Sequence, residues 1–515
     1  PAGRSASFCP HHIAVTEVVI LTLLQAMNAL MALALAAYGL QAFILTLLYL
    51  RHRRDAVIPA DMARRDWPTV AVQLPIYNER HVVERLIDAA ANLDYPADRL
   101  EIQVLDDSTD DTTALAEARA AYHRGRGINI QVLHRTDRAG FKAGALAEGL
   151  RRTNAELLAV FDADFVPPAD FLRRVVPHFV ARPDVGMIQT RWAHLNEQYS
   201  AFTRAQSLAL DAHFVVEQTG RNRSGLLINF NGSGGVWRRA CIIEAGGWQA
   251  DTMTEDMDLS YRAQLAGWRS LYLPDVEVPA ELPPQVDAFK RQQARWAQGS
   301  TQCLRKLGPA ILCSELGPAQ KLAALLHIAS YFTHPLMLGV LLLSLPLIWS
   351  GRSLHLPLAA LILVSAAPPV LYAVAQSALH GDWPRRMAYL PVIILVGTGI
   401  AWSTTRAVWQ GLSRWGGTFA RTPKFRLEGK RGRWADSAYR LRPDWTLIGE
   451  VLFALYALAG IVVAWQRSSY GAIPFLAIYA AGFGLVAGLG LGQWLGRPSS
   501  PRVVPAVGRW RIQAR

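Results

Sequence analysis

Apolar residues dominate both ends of the chain, and a long polar stretch separates them. Most residues in 13–50 are apolar, and basic residues follow at once in 51–54. A run of this length predicts one long membrane-spanning helix or two closely joined ones. It is too long for the apolar part of a signal peptide, so we expect no cleavage. The basic cluster predicts that the next segment, roughly 55–320, lies in the cytoplasm.

Five further apolar segments follow the polar stretch, at about 322–349, 355–379, 387–410, 446–465 and 471–496. If all five crossed the membrane, the loop 411–445 would lie outside the cytoplasm, although it carries nine arginine and lysine residues. Loops this basic favour the cytoplasmic side. We therefore predict that 387–410, which mixes tryptophans with polar residues, is an interfacial helix and that the other four segments cross. Five crossings with an external loop stay open, because the charge rule is a bias.

Within the polar stretch, short apolar runs alternate with stretches of helical character. The runs lie at 70–74, 102–105, 128–133 and 157–161, and the helical stretches lie at 81–93, 112–122 and 142–152. This alternation predicts an α/β domain with a mostly parallel sheet covered by helices on both faces. Sheets of this kind bind ligands at the carboxyl ends of their strands.

The chain therefore divides into three predicted regions. They are an N-terminal transmembrane region (1–54), a cytoplasmic α/β domain with interfacial helices at its end (55–320), and C-terminal transmembrane helices (321–515).

Composition agrees with a membrane protein. Charged residues make up 18% of the chain, below the about 25% of soluble domains, and hydrophobic residues make up 51%. The net charge of +13 fits an anionic membrane face or an anionic substrate, and the 16 tryptophans with long apolar runs favour the membrane over nucleic acid. The four cysteines show no C-x-x-C spacing, so we predict neither a zinc site nor a disulfide framework.

Acidic residues follow two of the predicted strands. Asp106 and Asp107 come after the run 102–105, and Asp162 and Asp164 come after 157–161. Two carboxylates at a strand end suit Mg²⁺ or Mn²⁺, which bind through one or two carboxylates plus substrate phosphates. A lone D-x-D is also common in capped turns, so this motif depends on its context.

Two motifs downstream supply that context. Thr254-Glu255-Asp256 opens a helix-like run, and Gln292, Arg295 and Trp296 share one face of a later helix by their spacing. An amide, a guanidinium and an indole on one face suit a diphosphate beside a sugar ring. The same helix could instead rest on the bilayer through Lys290 and Arg291, and the spacing alone leaves both readings open.

In this order, the motifs Asp106-Asp107, Asp162-Ala-Asp164, Thr254-Glu255-Asp256 and 292–296 resemble those of the processive, membrane-integrated family 2 glycosyltransferases. That family includes cellulose, hyaluronan and chitin synthases. The flanking stretches 73–79, 103–110, 142–146 and 230–238 resemble the cellulose-synthase-like A and C branches, associated with mannan and xyloglucan-backbone glucan, and their bacterial relatives. The resemblance covers about 67–310.

The resemblance implies a GT-A-type nucleotide-sugar domain inserted in an α-helical transmembrane domain, and an inverting sugar transfer. It places Asp256 as the general base, and Asp162 and Asp164 on Mg²⁺ or Mn²⁺ at the diphosphate. It assigns these residues to the nucleotide sugar: Tyr77, Glu79, Asp107, Lys142, Asp162, Gln292 and Arg295. It assigns these residues to the acceptor side, where the indole stacks under the acceptor sugar: Trp296, Glu255, Asn231, Gly232 and Ser233.

The expected function is hexose transfer from UDP-glucose or GDP-mannose to the non-reducing end of a β-linked polysaccharide that the enzyme exports. The alternative is a lipid glycosyltransferase that makes a membrane glycolipid. A non-catalytic scaffold is a third possibility, which the intact carboxylates argue against. We expect an integral protein of a bacterial inner or plasma membrane, with a cytoplasmic catalytic domain and no nucleic-acid partner.

Two departures from the resembled family stand out. Cellulose synthases have a gating loop with an FxVT core, where this chain reads 421–427 as RTPKFRL. Its position and charge indicate a loop that faces substrate phosphates, without assigning roles to its residues. We also expect no C-terminal cyclic-di-GMP-binding domain of the kind found in bacterial cellulose synthase.

Overall fold

The structure is a computed structural model that describes residues 10–55, 57–62, 66–351, 358–418, 421–435 and 437–495. The side chains of 10–16 and 358–364 are not described. Two parts of the predicted terminal regions lie outside the described residues, namely 1–9 and 496–515. The start of the predicted segment 355–379 also lies outside them.

A mixed sheet forms the centre of the α/β domain. Among the described residues it has seven strands in the order β3-β2-β1-β4-β6-β5-β7. Strand β6 runs antiparallel to both of its neighbours, and every other pairing is parallel. The strands are β1 (Val70–Ile76), β2 (Leu100–Asp106), β3 (Ile130–His134), β4 (Leu157–Val160), β5 (Val185–His194), β6 (Gly235–Arg238) and β7 (Arg269–Ala280).

Helices cover both faces of this sheet, and a π-helix lies at Ala212–Gln218. They are α2 (Val83–Ala91), α3 (Thr112–Arg124), α4 (Phe141–Arg151), α5 (Phe171–Ala181), α6 (Ala201–Asp211), α7 (Thr219–Arg223), α8 (Arg239–Glu244), α9 (Glu255–Leu265) and α10 (Val286–Cys313). The four strands and three helices predicted first along the chain are confirmed. Val72, Ile102 and Leu157 on the central strands are almost fully buried, which explains their uninterrupted apolar runs.

The N-terminal apolar run is one continuous helix, α1 (Pro10–His52), rather than two joined ones. The C-terminal part contains α11 (Pro318–Ile328), α12 (Thr333–Trp349), α13 (Leu358–Leu379), α14 (Trp383–Arg386), α15 (Leu390–Gly399), α16 (Ala401–Ser413), α17 (Thr446–Gln466) and α18 (Ile473–Leu495).

Four helices within the described residues are long and apolar enough to cross a membrane: Glu17–His52, Ser330–Trp349, Thr446–Gln466 and Tyr470–Leu495. A bent pair, Trp383–Gly399 with Ala401–Ser413, would make a fifth if it were one span.

The predicted interfacial helix 387–410 is wrong as a single element, because α15 and α16 meet there at an angle of 47°. The two halves have different partners. Gly399 of α15 packs so closely on α18 that an added Cβ would lie 2.3 Å from the Gly482 carbonyl oxygen. In α16, a Cβ on Gly411 would lie 2.7 Å from Thr301 of α10. The apolar half therefore packs on a membrane helix, and the amphipathic half packs on the last helix of the α/β domain.

The first C-terminal segment, predicted as an unbroken run over 322–349, is also divided. Helix α11 ends at Ile328, and its residues Ala324 and Ile328 pack on Leu307 and Ile311 of α10. The candidate span begins only at Ser330. The first turns of this apolar segment therefore pack against α10 and do not belong to the candidate span.

A buried ion pair joins α10 to the membrane helix α17. The Lys290 ammonium lies 2.8 Å from Glu450 and 3.1 Å from Asp287, and the lysine side chain is only 4% exposed. Lys290 therefore does not reach the bilayer surface. The alternative that the helix rests on the bilayer through Lys290 is wrong for this residue.

We expect Glu450→Gln to lower the thermal unfolding temperature, because removing one partner leaves a buried charge short of compensation, at a cost of about 3–5 kcal/mol. Thermal unfolding in detergent, followed by circular dichroism, measures this. The control is Glu148→Gln, which removes the partner of the exposed arginines Arg151 and Arg152 and should have little effect. Equal shifts for the two variants would contradict a buried role for Glu450.

Candidate active site

A cavity of about 260 Å³, the main cavity, lies at the carboxyl ends of the central strands. It gathers residues from every motif singled out in the sequence. The predicted site residues on its wall are Tyr77, Glu79, Asp107, Lys142, Asp162, Asp164, Asn231, Gly232, Glu255, Asp256, Gln292, Arg295 and Trp296. The structure thus brings together side chains that are more than 200 positions apart in the chain.

One end of the main cavity is formed by three acidic or aromatic side chains held by arginines. Arg421 donates two hydrogen bonds of 2.9 Å to Glu79. Arg135 donates bonds of 2.7 and 2.6 Å to Asp107. The Arg138 guanidinium lies 3.3 Å from the centre of the Tyr77 ring.

Sequence reasoning missed Arg135 and Arg138, and it placed Arg421 only in a loop expected to face substrate phosphates. Arg135 and Arg138 follow strand β3 directly, so their position at a strand end was the available signal. Burial raises the pKa of Glu79 to about 7 even beside Arg421.

The two D-x-D carboxylates each face a lysine. The Lys142 ammonium lies 2.5 Å from Asp162 Oδ1, and the Lys424 ammonium lies 2.7 Å from Asp164 Oδ2. Within the described residues, no cluster of three or more His, Cys, Asp or Glu side chains is placed to hold a metal. Two carboxylates on a cavity wall, the outer one 34% exposed, form an incomplete ligand set. Such a set fits a hard divalent ion whose remaining ligands are diphosphate oxygens and water.

A tight turn places Gly232 between Lys142 and Asp256. Its φ is +82°, and an added Cβ would lie 2.9 Å from Asp256 Oδ2 and 3.3 Å from the Lys142 ammonium. Lys142 also donates to the Gly232 carbonyl oxygen at 2.7 Å. The left-handed backbone conformation therefore favours glycine, and a larger residue would also displace the ends of the Asp256 and Lys142 side chains.

The acceptor contact predicted for Ser233 is not compatible with its position, because Ser233 is fully buried behind the cavity wall. Its hydroxyl accepts a hydrogen bond from the Asp162 backbone N–H at 2.9 Å. Its carbonyl oxygen accepts bonds from Gln189 and Trp192 of β5. Ser233 thus positions the D-x-D turn, and the two β5 side chains are supports that sequence reasoning missed.

Asp256 lies in the first turn of α9 and faces the cavity. Its Oδ1 accepts a hydrogen bond of 2.8 Å from the Met257 backbone N–H, while Oδ2 lies at the Gly232 turn. Burial, with the neighbouring Glu255 carboxylate, raises the pKa of Asp256 to about 7. A carboxylate with a pKa this close to neutrality can take up and release a proton under physiological conditions.

Helix α10 presents Gln292, Arg295 and Trp296 to the cavity, on the shared face that their spacing predicts. The same helix holds the segment before Asp256 in place. Gly299 lies so close to Thr254 that an added Cβ would be 2.5 Å from the threonine methyl group. The Gln302 side-chain oxygen accepts a bond of 2.9 Å from the Met253 backbone N–H. Gly299 and Gln302 were not predicted from the sequence.

The loop 421–427 forms another wall of the main cavity, as its charge indicated. Its side chains Arg421 and Lys424 bind carboxylates of the α/β domain. Its backbone is held by Glu281, whose carboxylate accepts hydrogen bonds from the Phe425 and Leu427 N–H groups at 2.8 and 3.1 Å. The loop thus brings two cations to the acidic side of the cavity.

We expect Gly299→Ala to reduce sugar transfer and stability, because the methyl group would push α10 away from Thr254, at a cost of about 1–3 kcal/mol. Gly308→Ala on the same helix is the matched control, since its nearest neighbour would be 3.9 Å away. Initial rates and thermal unfolding of both variants measure this. A Gly299→Ala protein with unchanged rate would show that this contact does not position the site.

Comparisons with known proteins agree with this geometry. Residues 68–299 match the profile of the family described as Glycosyltransferase like family 2. Glucomannan 4-beta-mannosyltransferase 2 of Arabidopsis thaliana is 45% identical over 251 residues, 48% of this chain and 47% of that protein. Probable glucomannan 4-beta-mannosyltransferase 3 of Oryza sativa subsp. japonica is 36% identical over 366 residues, 69% of this chain and 65% of that protein. The chain thus spans less than two thirds of the length of each relative.

A solved structure supports the fold. The mannosyltransferase PcManGT from Pyrobaculum calidifontis, in complex with GDP-mannose and Mn²⁺, aligns over 75% of this chain and 99% of its own with a TM-score of 0.52. At 24% sequence identity this likeness concerns the fold alone.

The sheet, its strand-end cavity and these matches define a domain with the GT-A-type fold of glycosyltransferases. Residues 68–299 match glycosyltransferase family 2, as the motifs predicted, and the chain is similar to proteins named as glucomannan mannosyltransferases. These relatives are plant proteins, and the bacterial origin expected from the sequence finds no support in them.

Proposed function

We propose that this chain transfers mannose from GDP-mannose, with inversion, to the end of a growing β-linked glycan. The observation that carries the proposal is the meeting of Asp256, the D-x-D pair and the α10 face in one cavity. The names of the matched relatives favour mannose, and GDP-mannose is also the donor bound in the P. calidifontis enzyme. UDP-glucose is the competing donor.

In the transfer, one residue removes a proton from the acceptor, and others neutralise the charge of the leaving group. Asp256 takes the proton of the acceptor hydroxyl as its oxygen bonds to the anomeric carbon, while the bond from that carbon to the diphosphate breaks. Attack from the face opposite the leaving group inverts the anomeric centre. The nucleoside diphosphate departs with negative charge, which Arg295 and Lys142 neutralise in the cavity.

Asp162 and Asp164 would hold a divalent ion, Mg²⁺ or Mn²⁺, that supplies further charge neutralisation at the diphosphate when bound. In the loop, Lys424 stands beside Asp164, and Arg421 stands beside Glu79 at the end of the cavity that also holds Tyr77 and Asp107. A bound diphosphate would give these two cations a further anionic partner besides their carboxylates.

A polar path supports a glycan acceptor over a lipid. Trp296 and Gln293 lie on the cavity wall, and the Gln293 side-chain oxygen accepts a bond of 3.1 Å from the Tyr331 hydroxyl. The Tyr331 ring stacks on His334 in the first turn of α12, with centres 6.2 Å apart. Stacked rings and amides suit successive sugar units. These contacts join the cavity wall to a candidate membrane helix, and we include export between the helices in the proposal.

Other aromatic residues do not extend this path. Trp349, Trp445 and Trp465 are 59%, 58% and 66% exposed, as side chains of an interfacial aromatic belt would be.

The catalytic cavity and the basic loop share one side of the membrane in this proposal. Loop 421–427 contacts Glu79 and Asp164 of the α/β domain directly. If the positive charge after α1 keeps that domain in the cytoplasm, the loop is cytoplasmic too.

The proposal is tested by incubating the purified protein in lipid nanodiscs with labelled GDP-mannose or UDP-glucose and Mg²⁺ or Mn²⁺. We expect label from GDP-mannose in a water-soluble polymer that an endo-β-1,4-mannanase degrades, and no product in excess EDTA. Transfer from UDP-glucose alone would overturn the donor assignment. Label confined to the chloroform-soluble fraction would instead show a lipid acceptor.

We expect kcat/KM for the donor to rise with pH through about 7, because Asp256 accepts a proton only when ionised and its pKa is raised to about 7. Asp256→Asn should abolish this rise and lower turnover by about 10²–10⁴ while donor binding persists. Asp251→Asn is the control, since this exposed residue lies outside the cavity lining.

Glu79 has a similarly raised pKa, so Glu79→Gln is measured beside it. If Glu79→Gln removed the pH dependence and Asp256→Asn kept it, the assignment of the base would be wrong.

A further inference from the structure

A second cavity, of about 780 Å³, lies where α1 joins the α/β domain. It is enclosed by the linker after α1, helix α5, the end of α7 and strand β7, and it shares no lining residue with the main cavity. We call it the arginine cavity, because five arginines line it against three aspartates. The arginines are Arg53, Arg54, Arg173, Arg174 and Arg223, and the aspartates are Asp55, Asp61 and Asp275.

Two of the five arginines already have partners. Arg173 makes a two-pronged contact with Asp94 at 2.7 and 2.9 Å. Arg174 donates to the Asp275 carbonyl oxygen and lies 3.8 Å from Asp170.

The other three guanidinium groups lack a carboxylate partner among the described residues. Arg53 and Arg54 are exposed, with Arg53 hydrogen-bonded to the Tyr49 side chain, and Arg223 is half-buried. In the part of the chain that the structure describes, Arg53, Arg54 and Arg223 make no ion pair within 4.0 Å. Burial lowers the pKa of Arg223, although the carboxylates of Asp55 and Asp275 act in the opposite direction. A guanidinium in this position is short of negative charge.

The aspartates do not supply that charge in full. Asp55 pairs with His52 at 2.8 Å, and Asp61 is engaged in a contact of its own. Asp275 remains without an ion pair among the described residues, so the carboxylates near Arg223 are those of Asp275 and of Asp55, which His52 already holds. The guanidinium groups of Arg53, Arg54 and Arg223 thus outnumber the free carboxylates of the cavity. The cavity therefore favours an anion that offers several acceptor oxygens.

An unsatisfied histidine points to the same conclusion. His178 of α5 lines the cavity and is 6% exposed, and its Nδ1 is buried without a hydrogen-bond partner in the described structure. Buried polar groups in folded proteins are normally hydrogen-bonded. A ligand in this cavity would bring acceptor oxygens to the Nδ1 atom of His178, which has no partner in the described structure.

The location narrows the anion to one chemical class. Helix α1 is a candidate membrane span whose last turn holds Arg51 and His52, and the cavity lies beside this basic end of the helix. Basic pockets at the cytoplasmic ends of spanning helices suit phosphate-bearing headgroups. We propose that the arginine cavity binds a phosphate group, supplied by a membrane-lipid headgroup or by soluble phosphate.

Binding is measured by native mass spectrometry of the detergent-purified chain with phosphatidylglycerol, or with diacylglycerol of the same acyl chains, which lacks the phosphate. Inorganic phosphate is titrated separately by calorimetry. The test variant is Arg53→Gln with Arg223→Gln. The matched control is Arg51→Gln, in the same helix end but outside the cavity lining.

We expect retention of phosphatidylglycerol but not of diacylglycerol, and affinity at least roughly tenfold weaker in the double variant, because two charge-assisted contacts are lost. Arg51→Gln should bind like the unmodified protein. If inorganic phosphate binds with the same dependence on Arg53 and Arg223 while the lipid does not, the phosphate site holds and its source is soluble.

Equal loss in Arg51→Gln and in the double variant would reduce the effect to general surface charge and overturn the proposal. Circular dichroism and donor hydrolysis confirm that each variant is folded. If the double variant unfolds, binding to the unmodified protein still tests the proposal. The proposal is overturned if that protein retains diacylglycerol as well as phosphatidylglycerol and does not bind inorganic phosphate.

Discussion

The close approach of α10 to the start of α9 is the contact on which the rest of the site depends. Only a glycine at position 299 lets the helix backbone lie against Thr254, and that contact sets the distance between Asp256 and the face that carries Arg295. The same helix contacts the C-terminal helices at two places: Lys290 pairs with Glu450 of α17, and Gln298 donates a hydrogen bond to the Gly416 carbonyl oxygen after α16. One helix therefore positions Asp256, the face that carries Arg295 and the candidate membrane helices relative to one another.

Charge balance is the second constraint. Three carboxylates, those of Asp162, Glu255 and Asp256, surround the Lys142 ammonium, which holds the like charges together without a ligand. Across the cavity, Lys424 does the same for Asp164. In the proposed reaction an anionic diphosphate and a divalent cation enter this arrangement together, so their charges largely cancel. The protein can thus keep a dense acidic cluster folded before substrate arrives, because each carboxylate has a cation nearby.

Parts of the fold could be read from the chain because their cause is local. Parallel strands buried on both faces appear as uninterrupted apolar runs, and β1 to β4 were predicted for that reason. Strand β5 was not, since it carries polar residues such as Gln189 and Thr190 that are buried only because the Gly234 carbonyl accepts their hydrogen bonds. The single interfacial helix failed for a similar reason: what divides it at Ile400 is packing on α18 and α10, which periodicity does not record.

By itself, the sequence determined the type of chemistry: the order of the acidic motifs, the helical spacing that puts Arg295 and Trp296 on one face, and the apolar runs of a membrane protein. Tertiary structure decided which groups act together. It pairs Lys424 with Asp164 across 260 positions of chain, and it removes Ser233 from the cavity to support the D-x-D turn. Such pairings depend on where folded segments meet in space, and no local pattern of residues carries that information.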